Sequence, residues 1–322
     1  MTTDLSPDIS DLQDAIGRIE TKEDVIDSTR LAEAAAMLGL GEDGEAAAMA
    51  QGACLPPLFH LFYGNNTSDA GRLDHDGHEA LGRFIPDVTT AGNFHRRMWA
   101  AGDMRFEGKM KTGERLKRQS TIRNIEAKTG KTGPLIFVTV DRVLETASGR
   151  VDEMRTIVYR EAATTPAPDS IPLEGMPGMT PCHDWLPDPV QLFRFSALTW
   201  NGHRIHFDLD HCRRVEFYPD LITHGPFTAM MLANLTTPKQ NPKGLGYVAA
   251  MRGQDAGGEA VGDGGDGGDG GPNPGALKRF KFRGTQALYA NRMVSLCLND
   301  DGTKAEARNH QGQQAMTAIR EW

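Results

Sequence analysis

Between residues 103 and 162 apolar and polar positions alternate. "DMRFEG", "RQSTIRNIEAKTGK", "PLIFVTVDRVLET" and "DEMRTIVYREA" each read with a period of two, and turn residues separate them. That pattern predicts consecutive antiparallel strands. Upstream, "TRLAEAAAML" at residues 29–38 is rich in helix formers and predicts a helix. "LPPLFHLFYGNN" is an aromatic stretch stopped by turn residues. A helix followed by a strand meander predicts an α+β unit over residues 1–162.

Residues 163–190, "ATTPAPDSIPLEGMPGMTPCHDWLPDPV", carry many prolines and suit neither a helix nor a central strand, so an extended linker is expected there. A second unit follows over 191–322. "LFRFSALT" reads as a strand. "GPFTAMMLANL" reads as a buried helix with Gly225 as its N-cap and Pro226 in its first turn. "RFKFRG", "RMVSLCLND", "TKAEARNHQ" and "QAMTAIREW" read as short strands. The two halves repeat one plan, a helix with an antiparallel sheet, which is the pattern of a duplicated domain. Between the second helix and its sheet, residues 253–275 form a glycine- and aspartate-rich run that is expected to be a disordered insertion. A calcium-binding repeat would need an apolar residue in each unit, and "GGDGGDGGDGG" has none.

Charge narrows the function classes. With 35 Lys and Arg against 43 Asp and Glu the net charge is -8, which argues against a protein held mainly by nucleic-acid phosphates. The start, "MTTDLSPDISDLQDAIGRIE", has no basic n-region and no apolar h-region, and no apolar run approaches bilayer length. A cytoplasmic protein without membrane contact is therefore expected. Cys54, Cys182, Cys212 and Cys297 form no CxxC pair, so neither a disulfide framework nor a zinc ribbon is expected.

The chemistry concentrates in "FSALTWNGHRIHFDLDHC", residues 195–212. His203, His206, Asp208, Asp210 and His211 are metal ligands by type, but their spacing matches no zinc signature, and no metal is expected. Plain readings compete at each position. Asn201 before Gly202 suits a turn, Arg204 suits a solvated ion pair, and Asp208 suits a helix N-cap before "LDHCRR". "RRMWAAG" and "DGH" suit core packing and turn structure.

"SALTWNGHRIHFD" followed by "YPDLITHGPFTAMML" resembles the MaoC-like hydratases, and more closely their two-domain dehydratase branch, which includes 3-methylfumaryl-CoA and itaconyl-CoA hydratases. "PPLFHLFY", "DGHEALGRFIPD", "AKTGKTGPLIFVTV", "IVYRE", "FKFRGTQALYANRMVSL" and "QQAMTAIREW" carry the same resemblance across nearly the whole chain. It implies an α+β double hot-dog fold, with each antiparallel sheet wrapped round a central helix and one active site per chain, in the second unit. It implies a hydro-lyase acting on an acyl-CoA thioester, with CoA as part of the substrate and no separate cofactor. A branched C5-dicarboxylyl-CoA giving citramalyl-CoA is the expected substrate. Dehydration of fatty 3-hydroxyacyl thioesters, thioester hydrolysis and non-catalytic acyl-CoA binding are the rivals. A homo-oligomer is compatible with this reading and not required by it.

The wider family's motif is S-G-D-x-N-P-x-H, and His206 falls on its histidine while Asn201 falls on its aspartate. An amide takes no proton at neutral pH, so the resemblance implies His206 as the base and Asn201 as a group that only holds the water through its amide oxygen. It implies Gly225 as the amide donor to the thioester oxygen, with His224 shaping the pocket. A free carboxylate on the substrate needs a cation. Arg204 is the first candidate, His203 the second, and Arg97 a candidate from the other unit. For the CoA phosphates "LKRFKFRG" offers Lys278, Arg279 and Lys281.

Overall fold

The expected meander is present, and its strands run longer than the alternation suggested. The computed structural model describes residues 7–130, 133–236, 245–252 and 276–322, so the glycine-rich stretch 253–275 lies outside the described residues. The elements of the first half are α1 (Ser10–Gln13), β1 (Ile19–Val25), α2 (Ser28–Met37), α3 (Gly41–Met49), β2 (Arg96–Gly108), β3 (Arg115–Gly130), β4 (Gly133–Glu145) and β5 (Gly149–Arg160). The second half holds β6 (Thr180–Trp185), α4 (Pro189–Leu198), α5 (Leu209–Arg214), α6 (Gly225–Ala233), α7 (Tyr247–Met251), β7 (Arg279–Gly284), β8 (Val294–Leu298), β9 (Lys304–Arg308) and β10 (Gln314–Glu321). No helix among the described residues is long and apolar enough to cross a membrane.

All ten strands join one antiparallel sheet in the order β1-β3-β4-β5-β2-β7-β10-β9-β8-β6. Five come from each half, and the halves meet where β2 pairs β7 from Ala101↔Arg283 to Arg105↔Arg279. Arg279 closes that seam by gripping Asp103 with Nε at 2.8 Å and Nη2 at 2.7 Å. Residues 96–100 of β2 run beyond the pairing with β7 while Arg96–Trp99 stay paired with β5, and this end reaches the site described below.

The period of two has its expected cause. In β4, Ile136, Val138, Val140 and Leu144 are buried at alternate positions, and the intervening residues are only partly covered. Helix α6 obeys a different rule. Phe227 through Ala233 are all buried, so it is apolar on every side and sits against β10, β9, β7 and β2 as a central helix. Among the described residues the first half has no single counterpart. Its α2 and α3 are parted at Gly39 and Gly41, whose φ angles of 68° and 67° end one helix and start the next.

Two expectations fail. "LFRFSALT" is not a strand but the body of α4. Its buried residues are Leu192, Phe195 and Ser196, a helical spacing, while Phe193 is 61% exposed. Asp188 caps it by accepting from the Gln191 N–H at 2.9 Å, with Pro189 in the first turn. The proline-rich linker is also shorter than 163–190, because Thr180–Trp185 pairs with β8 at the sheet edge, where Pro181 is tolerated.

Candidate active site

Helix α4 and α6 bracket the histidine-rich loop. After α4 the chain passes Trp200 at a φ of 52°, and the Asn201 N–H donates to the Ser196 carbonyl at 2.8 Å. Asn201 Oδ1 accepts the His203 N–H at 3.0 Å, a turn closed by its own side chain. A short 3-10 turn, Arg204–His206, follows, and then Asp208 caps α5 by accepting the His211 N–H at 2.9 Å.

His206 is 6% exposed, and its Nδ1 lies 2.7 Å from the Ile222 carbonyl oxygen. A carbonyl only accepts, so Nδ1 carries the proton and Nε2 keeps its lone pair in the neutral ring. Burial pushes the His206 pKa down to about 4, against the opposing pull of the Ile222 carbonyl, and so keeps the ring neutral. His224 stacks on it with ring centroids 3.5 Å apart and meets Ser196 Oγ through Nε2 at 2.8 Å. Burial holds His224 well below the usual imidazole range.

Gly225 follows His224. It is the first residue of α6, one place further in than the expected N-cap, and His224 takes the cap position. Among the described residues nothing accepts the Gly225 N–H. An unpaired amide at the positive end of a buried helix is suited to developing negative charge.

The N-terminal half supplies the other wall. The turn "DGH" brings Asp76 and His78 against the histidine loop, where the Asp76 carbonyl accepts the Arg204 N–H at 2.9 Å. Contact is close because both segments carry glycine. Gly77 has a φ of 86°, and a Cβ there would stand 2.0 Å from the Gly202 carbonyl oxygen. Asp76 Oδ2 meets His78 Nδ1 at 2.8 Å and lies 3.9 Å from His203 Nε2 and 3.8 Å from Arg97 Nε. The His78 ring lies over His203 at a centroid distance of 4.0 Å. Burial raises the Asp76 pKa, and Arg97 opposes it. Burial holds His203 well below its usual range, with His206 and Arg97 adding to the effect.

These groups border one cavity of about 1510 Å³. His78 and Arg97 line it from the first half, and Asn201, His203, His206 and Gly225 line it from the second.

The cation candidates separate. Arg204 is outside that wall: its Nε and Nη2 hold Asp208 Oδ2 at 3.0 and 2.7 Å, and Nη1 donates to the His75 carbonyl. Arg97 and His203, the other two candidates, both line the cavity. The phosphate candidates are not at the cavity either. Arg279 serves Asp103 and Glu321, Lys278 donates to the Trp322 carbonyl, and Lys281 is not in the cavity wall.

The metal-like set does not converge, since Asp208 pairs with Arg204 and Asp210 with Arg214. The group with metal-like spacing among the described residues is Asp76, His78 and His203, donor atoms within 4.8 Å of one another. Arg97 occupies its charge partner's side, and the 2.8 Å carboxylate–imidazole separation is that of a hydrogen bond. Sequence reasoning passed over Asp76 and His78 as turn residues. The signal available was a glycine between two proton-carrying side chains, which is too common to single out without the contact to Gly202.

A family model described as hydroxyacyl-thioester dehydratase type 2 matches residues 58–248. Mesaconyl-C(4)-CoA hydratase of Chloroflexus aurantiacus is 39% identical over 226 residues, 68% of this chain and 76% of that protein. The mitochondrial hydroxyacyl-thioester dehydratase type 2 of Schizosaccharomyces pombe is 23% identical over 272 residues, 77% of this chain and 79% of that one. A Mycobacterium tuberculosis protein described as a double hotdog fold aligns with a TM-score of 0.53 at 11% identity, covering 95% of both chains. The fold likeness bears out the double hot-dog architecture expected from the resemblance.

Proposed function

The chain belongs to the hydroxyacyl-thioester dehydratase type 2 family of hydro-lyases, and from that premise we propose that it adds water to a branched C5-dicarboxylyl-CoA, 3-methylfumaryl-CoA or itaconyl-CoA, to give citramalyl-CoA. The observation that carries the dicarboxylyl reading is Arg97, a guanidinium in the same cavity as His206 and Gly225. Its Nη2 donates to the Glu79 carbonyl at 3.3 Å, and its positive charge is what draws a substrate carboxylate to this wall. The name of the Chloroflexus relative points the same way. The cavity volume of about 1510 Å³ exceeds the ~300–1,000 Å³ of an ordinary small-ligand site and suits an acyl group on a long thioester arm.

In this mechanism His206 Nε2 takes a proton from the water that attacks the β carbon. Its neutral state makes it ready to accept, and such general-base help is worth ~10²–10⁴-fold. The Gly225 N–H donates to the thioester oxygen as the enolate forms. Asn201 Oδ1 accepts the His203 N–H and keeps a second lone pair with which to hold the water. His203 lines the cavity beside His206, and His224 stacks against His206 from behind, outside the cavity wall.

A panel of dicarboxylyl and plain enoyl-CoAs, read by mass spectrometry, tests the reading. Water gained with CoA retained supports it, and preference for plain acyl chains turns it toward fatty 3-hydroxyacyl thioesters. Free CoA turns it toward hydrolysis. Binding without turnover leaves a non-catalytic acyl-CoA protein. His206→Gln with undiminished turnover removes His206 from the mechanism.

A further inference from the structure

Hydration moves two protons. One leaves the water and one arrives at the α carbon. Asn201 carries none to give, and His206 can return only the proton it takes from the water, so a second proton-carrying group lets both transfers run together. We propose that the Asp76–His78 pair, delivered by the N-terminal half, is that group: His78 donates the α-carbon proton and Asp76 positions it. The proposal rests on the hydratase reading above.

Three observations carry it. His78 lines the cavity, while Asp76 sits behind it, 4% exposed. Asp76 holds His78 at two points, since Oδ1 accepts the backbone N–H at 2.9 Å and Oδ2 faces Nδ1 at 2.8 Å. That fixes the ring with Nε2 as its remaining proton-carrying atom, and a carboxylate at this distance favours the imidazolium. Lastly, His203 lies between the two proton carriers, over His78 at 4.0 Å and edge-on to His206 at 5.5 Å. Two imidazoles in one cavity thus have opposite surroundings: His206 is buried with a neutral carbonyl and His78 is paired with a carboxylate. Such a contrast divides a base from an acid.

The same residues could hold a cation by donor type, but Arg97 stands 3.8 Å from the carboxylate oxygen a metal would use. The charged and titratable groups facing the pair are Arg97 from β2, Tyr159 from β5, His203 from the loop after α4, His211 from α5, and His75 and Glu79 beside it in the turn.

The step balances. Water oxygen bonds to the β carbon as His206 Nε2 takes one of its protons. The π pair of the double bond moves to the α carbon, which takes the proton from His78 Nε2. The product carries one new hydroxyl and one new hydrogen, with His206 charged and His78 neutral. Return of a proton from His206 to His78, through His203 or solvent, restores the enzyme with one water consumed.

The test uses the full chain and an enoyl-CoA that the wild type turns over. His78→Gln should lower kcat by ~10²–10⁴-fold with KM little changed, as loss of a proton donor requires. Asp76→Asn keeps the shape of the side chain. It should lower kcat less, and it should move the alkaline limb of the kcat/KM profile to lower pH, because the imidazolium loses its counter-charge. A purely structural role moves no limb. Thermal unfolding midpoints near wild type for Asp76→Asn would separate chemistry from folding. A His78→Gln enzyme with near-wild-type kcat overturns the proposal. So does an Asp76→Asn profile with its limb in place, or stoichiometric Zn²⁺ binding that activates wild type and is lost in His78→Gln. Failure of the hydratase reading shows earlier, as a wild type that turns over no enoyl-CoA. A wild type that prefers plain enoyl-CoAs overturns only the dicarboxylyl assignment, and the variants are then compared on the plain substrate.

Discussion

His206 and His224 lie face to face, their centroids 3.5 Å apart and their planes 20° from parallel. The cap residue of α6 thereby supports the ring that faces the cavity, and neither imidazole can be charged cheaply next to the other. His206 meets Ile222 on one edge and His224 meets Ser196, so the stack is held from two sides.

That arrangement makes stability depend on pH. Burial pushes His206 and His60 down to about 4. An unfolded histidine titrates near 6.5, so below that pH the unfolded chain binds protons that the folded chain refuses. Stability should be level above about pH 6.5 and fall as pH drops toward 4, at about 1.4 kcal/mol per pH unit for each fully contributing histidine. Urea unfolding at neutral pH and near pH 5 measures this. His206→Gln should show a shallower loss than wild type, and an equally steep one would contradict the assignment.

Arg97 and Arg204 should part company in kinetics. Arg97→Gln is expected to raise KM for a dicarboxylyl-CoA by ~10-fold or more, the loss of a charge-assisted pair, and to affect a plain enoyl-CoA less. Arg204→Ala should leave the ratio between the two substrates unchanged, because its guanidinium is spent on Asp208 and the His75 carbonyl. A changed ratio in Arg204→Ala alone would return the role to Arg204.

Gly225 offers a test of the amide itself. A Cβ at that position would meet only the Trp99 carbonyl oxygen, at an ordinary 3.6 Å, so Gly225→Ala should fold and keep the N–H. Gly225→Pro deletes the N–H at a helix start that tolerates proline, and the preceding His224 already has an extended ψ of 128°. Its kcat should fall by ~10²–10³-fold beyond the alanine variant, as for loss of one oxyanion donor. Equal rates for the two variants would exclude the amide from the reaction.

Gly77→Ala should be far more damaging than Gly82→Ala. Both have positive φ, worth ~1–2 kcal/mol of strain for an alanine. Only at Gly77 does the added Cβ strike backbone, 2.0 Å from the Gly202 oxygen, whereas at Gly82 the nearest atom is 3.9 Å away. Thermal unfolding should show the larger drop for Gly77→Ala, together with lost turnover as the DGH turn parts from the histidine loop.

The sequence by itself determined the elements whose cause is local. Alternation in "PLIFVTVDRVLET" made β4, an all-apolar run after "HGP" made α6, and Asp208 before "LDHCRR" made a cap. Each depends on neighbours within a few residues, so each is legible there. The family resemblance pointed to His206 and Gly225, and both line one cavity. "LFRFSALT" misled because its apolar residues satisfy both periods, and the Asp188–Pro189 signal before it settles the choice. What tertiary structure alone decided is which charged groups meet across the chain. Arg204 donates to the His75 carbonyl 129 positions away, and nothing local says that Arg97 turns to the cavity. The approach of Asp76 and His78 to His203 has the same origin. Two glycines let two backbones touch, and only the folded sheet brings those glycines together.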